Sequence, residues 1–195
     1  LIQNIEIKRQ PVFNGNLFNI LDRFFFKIIN IVEKKLVQIK YSQYLKHLKK
    51  YDLKKLKVKE IDVELDKLDD NKSYLYKEDT INKIKELNLD IILRGGSGIL
   101  KGEILKSSKF GIISFHHGDN LSYRGKPSGF WEVKEKNLKS GFTIQILNEK
   151  LDDGNVLKRG NFRTQNFYHL NDILLKERSN QYMKFILSNI NKTKK

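Results

Sequence analysis

Apolar residues recur through Leu17–Lys40 at Leu17, Leu21, Phe24, Phe25, Ile28, Ile29, Val32, Leu36 and Ile39, with charges between them, the spacing of one amphipathic helix. Asp22, Arg23, Lys27, Glu33, Lys34 and Lys35 interrupt any apolar run that would span a bilayer, so Phe24-Phe25-Phe26 is assigned to a core or an interface. Lys57–Val63 (KVKEIDV) reads as a short strand and Leu65–Tyr74 as a polar, turn-like stretch. Lys77–Leu89 reads as a helix, with Ile81, Ile84 and Leu87 on one face and Asp79 or Thr80 as its N-cap.

The next stretch, DIILRGGSGIL, is a buried strand that runs into Gly95, Gly96 and Gly98, a loop needing unusual backbone angles. Gly102–Leu105 forms a short helix and Gly111–Phe115 (GIISF) the following apolar strand. Gly129–Lys134 reads as helix, Gly141–Leu147 as a half-buried strand, Leu151–Gly154 as a turn, Val156–Lys158 as a strand and Asn171–Ile190 as a final amphipathic helix. Helix, strand, glycine loop, helix and strand in that order predict an α/β protein with a mostly parallel sheet. Ligands in such sheets sit outside the carboxyl ends of the strands.

The 195 residues suffice for one domain, expected over 1–195, and contain no cysteine, hence no disulfide frame, thiolate metal site or cysteine nucleophile. That usage fits a reducing, cytoplasmic setting. The formal charge of +15 attracts polyanions, yet lysine, asparagine and isoleucine are abundant throughout, so much of the excess is compositional. The only methionine is Met183, so residues are expected before Leu1.

The chemistry concentrates in ISFHHGDNLSYRG, Ile113–Gly125, at the end of the predicted strand. Ser114, His116, His117, Asp119, Asn120, Tyr123 and Arg124 lie there, and Asp152 and Asp153 on a later turn. A histidine with a carboxylate supplied from elsewhere is a general acid/base arrangement, although adjacent loop histidines are as often simply solvated. Consecutive side chains of an extended chain point opposite ways, so His116 and His117 do not share a metal ion and no metal is expected. Arg124 either braces its loop or grips an anion, and Phe130 and Trp131 are assigned to the core.

Five ordered pieces resemble the 10-formyltetrahydrofolate-dependent formyltransferases: Asp90–Leu105, SFH (Ser114–His116), YRG (Tyr123–Gly125), SGFT (Ser140–Thr143) and LDDG (Leu151–Gly154). The resemblance covers Leu89 to about Gly160. It implies a Rossmann-like formyltransferase fold whose first strand lies outside this chain, with His116 stabilising an oxyanion and Asp152 tuning it. Ser114 stands where the family has asparagine. The resemblance also implies folate contacts from Gly95, Gly96, Gly98, Asp153 and Gly154, and acceptor contacts from His117, Asn120, Tyr123 and Arg124. The cosubstrate would be 10-formyltetrahydrofolate. The acceptor would be an amine, by preference an amino sugar carried on a nucleotide, because no C-terminal β-barrel follows as in initiator-tRNA enzymes. Alternatives are methionyl-tRNA formylation, formyltetrahydrofolate hydrolysis (suggested by the doubled histidine), and an inactive folate-fold binding protein in which Ser114 marks lost catalysis.

Overall fold

The computed structural model describes residues 17–45, 55, 58–70, 72–96, 98–118, 127–149 and 154–190. Its helices are α1 (Leu17–Lys40), α2 (Ser42–Leu45), α3 (Glu78–Glu86), α4 (Phe130–Lys134) and α5 (Tyr168–Asn189), with a 3-10 turn at Gly102–Lys106. Strands β1 (Leu65–Lys67), β2 (Ser73–Tyr76) and β4 (Ile99–Lys101) form one sheet in the order β1-β2-β4. Strands β3 (Ile92–Arg94), β5 (Ile112–His116), β6 (Lys139–Ile146) and β7 (Asn155–Arg163) form the other in that order. The α/β architecture is therefore present, with mixed sheets: β2 with β4 and β3 with β5 are parallel, whereas β1–β2, β5–β6 and β6–β7 are antiparallel.

One core joins the sheets, with Tyr76, Ile81, Ile84, Leu100, Ile104 and Ile112 packed together. The opposite face of the larger sheet lies on α5, where Ile113, Phe142 and Ile144 meet Leu175, Met183 and Ile186. A buried polar hub ties the start of α5 to that sheet. Asn171 accepts from the Gln165 amide (3.1 Å), donates to the Gly129 carbonyl (2.9 Å) and pairs with the Ser140 hydroxyl, which also meets the Thr164 hydroxyl at 2.9 Å.

Several elements differ from the pattern-based expectation. Strands β1 and β2 occupy the stretch expected to be turn-like, because Asp70 folds it into a hairpin by accepting from the amides of Lys72 (2.9 Å) and Ser73 (2.6 Å) and from the Ser73 hydroxyl. That hydroxyl and the two amides hold the Asp70 carboxyl down to about 2. The expected strand at Lys57–Val63 shrinks to a bridge at Ile61 among the described residues. Thr80 is not the cap of α3, since its hydroxyl accepts from the Glu64 amide (3.0 Å) and Lys77 holds the cap position. Ile99–Lys101, to which the pattern assigns no element, is β4: the Ile99 amide donates to the Lys72 carbonyl (2.8 Å) after Gly98 turns at φ +94° against the Tyr74 ring. Strand β6 is buried on both faces rather than one.

Helix α1 matches its predicted span, but its apolar stripe does not enter a core. Val37 packs with Leu170, Ile173 and Leu174, and Phe26 meets Phe130 edge-on at 5.6 Å. Phe24, Phe25, Ile28, Ile29, Val32, Leu36 and Ile39 are exposed. The anchoring of α1 is partly polar, as the Glu33 carboxylate accepts from the His169 amide at 2.6 Å.

Candidate active site

Strand β5 sits inside the larger sheet because its run of Ile112, Ile113 and Phe115 supplies apolar side chains to both faces, the mark of a strand covered on two sides. Alternation then divides the residues at its carboxyl end. Ile113 and Phe115 face α5, and His117 goes with them, its ring stacked on Phe115 at 5.6 Å and 9°. Ser114 and His116 face the other way.

On that second face the ladder assembles a polar row. Arg94 of β3 is in register with Ser114, Ser114 with Gln145 of β6, and His116 with Thr143. Gln145 and Thr143 are buried, while Arg94, Ser114 and His116 are half-buried. The Thr143 hydroxyl is buried and has no hydrogen-bond partner among the described residues. The Ser114 hydroxyl donates only a long bond, 3.3 Å, to the Phe115 carbonyl. Burial lowers the Arg94 pKa against the opposing pull of Tyr76 and Tyr74, and burial likewise raises that of the Tyr76 phenol. A cleft beside this row is lined by Tyr76, Arg94, Gly95, Leu100 and Ile104.

Glycines close the arrangement. Gly95 follows Arg94 directly, and a side chain there would meet nothing within 4 Å, so its backbone lies open to a ligand. A β-carbon on Gly154 would come within 2.3 Å of the Ile146 carbonyl and 3.2 Å of the Gln145 amide carbon. Only glycine lets the end of the Leu151–Gly154 segment lie this close to the polar row.

No family model matches the chain. Over 81 residues, 41% of this chain, it is 35% identical to methionyl-tRNA formyltransferase of Clostridium botulinum (strain Alaska E43). Over 112 residues, 55% of this chain, it is 31% identical to the protein of that name from Clostridium acetobutylicum. Over these stretches the chain is similar to formyltransferases. It spans 26% and 36% of the lengths of those two formyltransferases. The crystal structure of phosphoribosylglycinamide formyltransferase from Streptococcus pneumoniae TIGR4 superposes with a TM-score of 0.52 over 70% of this chain and 77% of that one. At 18% identity that likeness establishes a formyltransferase fold.

Within this formyltransferase fold, the structure brings together Ser114 and His116 with Gly95 and Gly154 at the margins, and it leaves His117 on the α5 face. Gly96 and Gly98 continue the loop after β3. Asn120, Tyr123, Arg124, Asp152 and Asp153 lie outside the described residues. Burial, reinforced by Lys176 and opposed by Asp172, lowers the His117 pKa. Among the described residues no group of histidines and carboxylates is arranged to hold a metal, and no helix is long and apolar enough to cross a membrane. Motif spacing does not reveal Arg94, Thr143 and Gln145. Their signal is strand alternation, which becomes legible once β5 and β6 are paired in register.

Proposed function

We propose that this chain carries the catalytic domain of a cytoplasmic formyltransferase that moves the formyl group of 10-formyltetrahydrofolate to an acceptor amine. The observation that carries this reading is the row of Ser114, His116 and Thr143, with a buried hydroxyl that has no partner among the described residues directly across from the histidine. Attack of an amine nitrogen on a formyl carbon forms a C–N bond and turns the carbonyl oxygen into an oxyanion. Breaking the bond to the folate nitrogen then releases tetrahydrofolate, while the proton lost by the amine reaches that nitrogen.

His116 donates to the oxyanion, and the hydroxyls of Thr143 and Ser114 supply further short dipoles on the same face, a preorganised set that gains strength where water is excluded. Ser114 takes the place of the family asparagine with a hydroxyl whose present bond is long enough to be exchanged. Asp152 sets the orientation of His116 in this reading, and Asp153 and Gly154 help seat the pterin together with the loop after β3, whose backbone is open at Gly95. Asn120, Tyr123 and Arg124 border the acceptor, and His117, stacked on Phe115 at the α5 face, does not.

The preferred acceptor is an amino sugar carried on a nucleotide. Methionyl-tRNA is the second reading, favoured by the names of the two clostridial relatives. The test is to incubate the protein with 10-formyltetrahydrofolate and nucleotide-linked amino sugars, charged initiator tRNA or water alone, following tetrahydrofolate release. Release with none of them overturns the reading, release with water alone makes the protein a hydrolase, and acceptor-dependent release identifies the amine.

A further inference from the structure

Among the described residues strand β7 is an edge of the larger sheet, and its pairing with β6 extends the row of His116 and Thr143 by one more residue, Arg159. Two independent contacts fix which way this arginine faces. Lys158, its neighbour, lies over the Tyr182 ring of α5 at 5.3 Å, and Phe162 packs into the α5 core. Arg159, Asn161 and Arg163 therefore occupy the opposite face, that of His116. Ser140 bonds Asn171 of α5, so Lys139 is on the His116 face as well, directly across from Arg163.

Lys139, Arg159 and Arg163 are all exposed, and among the described residues no carboxylate pairs with any of them. The local sequence offers none either: no Asp or Glu occurs from Lys136 to Asn148 or from Gly154 to Asn171. Lys139 and Arg163 are like charges at directly opposed ladder positions, an arrangement that is unfavourable until an anion sits between them. Gly141 contributes no side chain between Lys139 and Thr143, so the cations border a shallow trough.

Strand spacing places Arg159 about 10 Å from the His116 column and Arg163 about 13 Å further along the edge. We infer that Lys139, Arg159 and Arg163 form a phosphate-binding rim, which holds the anionic part of the acceptor while its amine meets His116. The inference rests on the proposed role of His116 for the position of the amine, and on the rim alone for the phosphate. Guanidinium forks suit phosphate oxygens, and an exposed edge beside a buried polar row keeps the charge in water while the reacting end is enclosed.

The test measures binding and turnover on the full chain. Uridine diphosphate and a short single-stranded RNA are titrated by calorimetry into the wild type, Arg159→Gln, Arg163→Gln and Lys158→Gln, with circular dichroism melts to establish folding. Lys158→Gln removes the same charge from the same strand on the opposite face. The rim predicts affinity weakened about tenfold or more in each arginine variant, little change in Lys158→Gln, and partial recovery in Arg159→Lys. For the RNA, the slope of log K against log salt should fall by about 0.7 per lost phosphate contact.

A loss confined to uridine diphosphate assigns the phosphate to a nucleotide-linked acceptor, and a loss confined to RNA assigns it to a polynucleotide one. Equal effects of all the glutamine variants overturn the rim, because net charge alone then explains binding. If the wild type transfers formyl while the arginine variants keep its acceptor KM, the rim fails and the transferase reading stands. If no acceptor is formylated yet uridine diphosphate binding depends on Arg159, the rim stands and the transferase reading fails.

Discussion

Thr143 stands across the β5–β6 ladder from His116, and its hydroxyl is wholly buried with no hydrogen-bond partner among the described residues. A buried hydroxyl left unpaired costs about 1–3 kcal/mol, so a side chain of equal shape without it should fold at least as well. Thr143→Val is therefore expected to match or exceed the wild type in thermal melting while turning over at least about tenfold more slowly. A lower melting temperature with unchanged turnover would make Thr143 an ordinary packing residue.

His116 and His117 provide an internal comparison, since alternation sends them to opposite faces. His116→Ala should lower turnover by roughly 10²-fold or more while leaving folate binding largely intact, because the imidazole acts on a developing charge. His117→Ala should lose less activity. A larger loss at His117 would place the reacting face on the α5 side of the sheet.

Ser114 tests whether a hydroxyl substitutes for an amide. Its weak bond to the Phe115 carbonyl (3.3 Å) is of little structural value, so Ser114→Ala should fold normally and lose activity, whereas Ser114→Asn should keep or raise it. Activity that appears only in Ser114→Asn would mark the natural chain as a degenerate enzyme.

The environment of His117 makes stability depend on pH. Burial and Lys176 hold its folded pKa below the ordinary 6.5, so between the two values the unfolded chain binds more protons than the folded one. Stability from this group is complete above 6.5 and declines as the pH falls toward the folded value. Urea unfolding of the wild type and His117→Phe across this range should show the variant with the shallower loss on acidification. Parallel curves would show that His117 is not the group responsible.

Asn171 is the hinge of the polar hub beneath Gly129, Ser140 and Gln165. Asn171→Ala strands those groups in a buried space and is expected to cost about 2–4 kcal/mol in denaturant unfolding. A cost near zero would mean that the hub relaxes onto other partners.

Each sequence signal was legible only as far as it reaches along the chain. The long 3.6-residue periodicity marked α1 at its full span, and the apolar runs marked β3, β5 and β6. The hairpin of β1 and β2 was hidden because its stabilising groups are the carboxylate of Asp70 and the hydroxyl of Ser73, polar side chains that read as a loop. Strand β4 was hidden because a residue count cannot reveal that Gly98 turns beneath Tyr74. In the candidate site, Ser114 and His116 were visible from their motif, and their shared face followed from alternation. Thr143, Gln145 and Arg159 join them only through strand pairing, which brings positions 27 or more residues away into one row.

The connectivity of the larger sheet also bears on the order in which the molecule takes shape. Strands β5, β6 and β7 are consecutive and pair as neighbours, so the ladder bearing His116, Thr143 and Arg159 closes within one continuous segment, 112–163. The parallel pairings of β2 with β4 and β3 with β5 each require a crossover, whereas the antiparallel pairs close by direct reversal. The β6–β7 ladder closes where Ile146 meets Asn155, a separation of 9 residues against 20 for β3–β5, 26 for β2–β4 and 27 for β5–β6, and short closures impose less entropic delay on folding. In pulse-labelling hydrogen exchange, the amides that join β6 to β7 should gain protection before those that join β6 to β5 or β2 to β4. The strand pair bearing Thr143 and Arg159 would then be in place before His116 pairs with it.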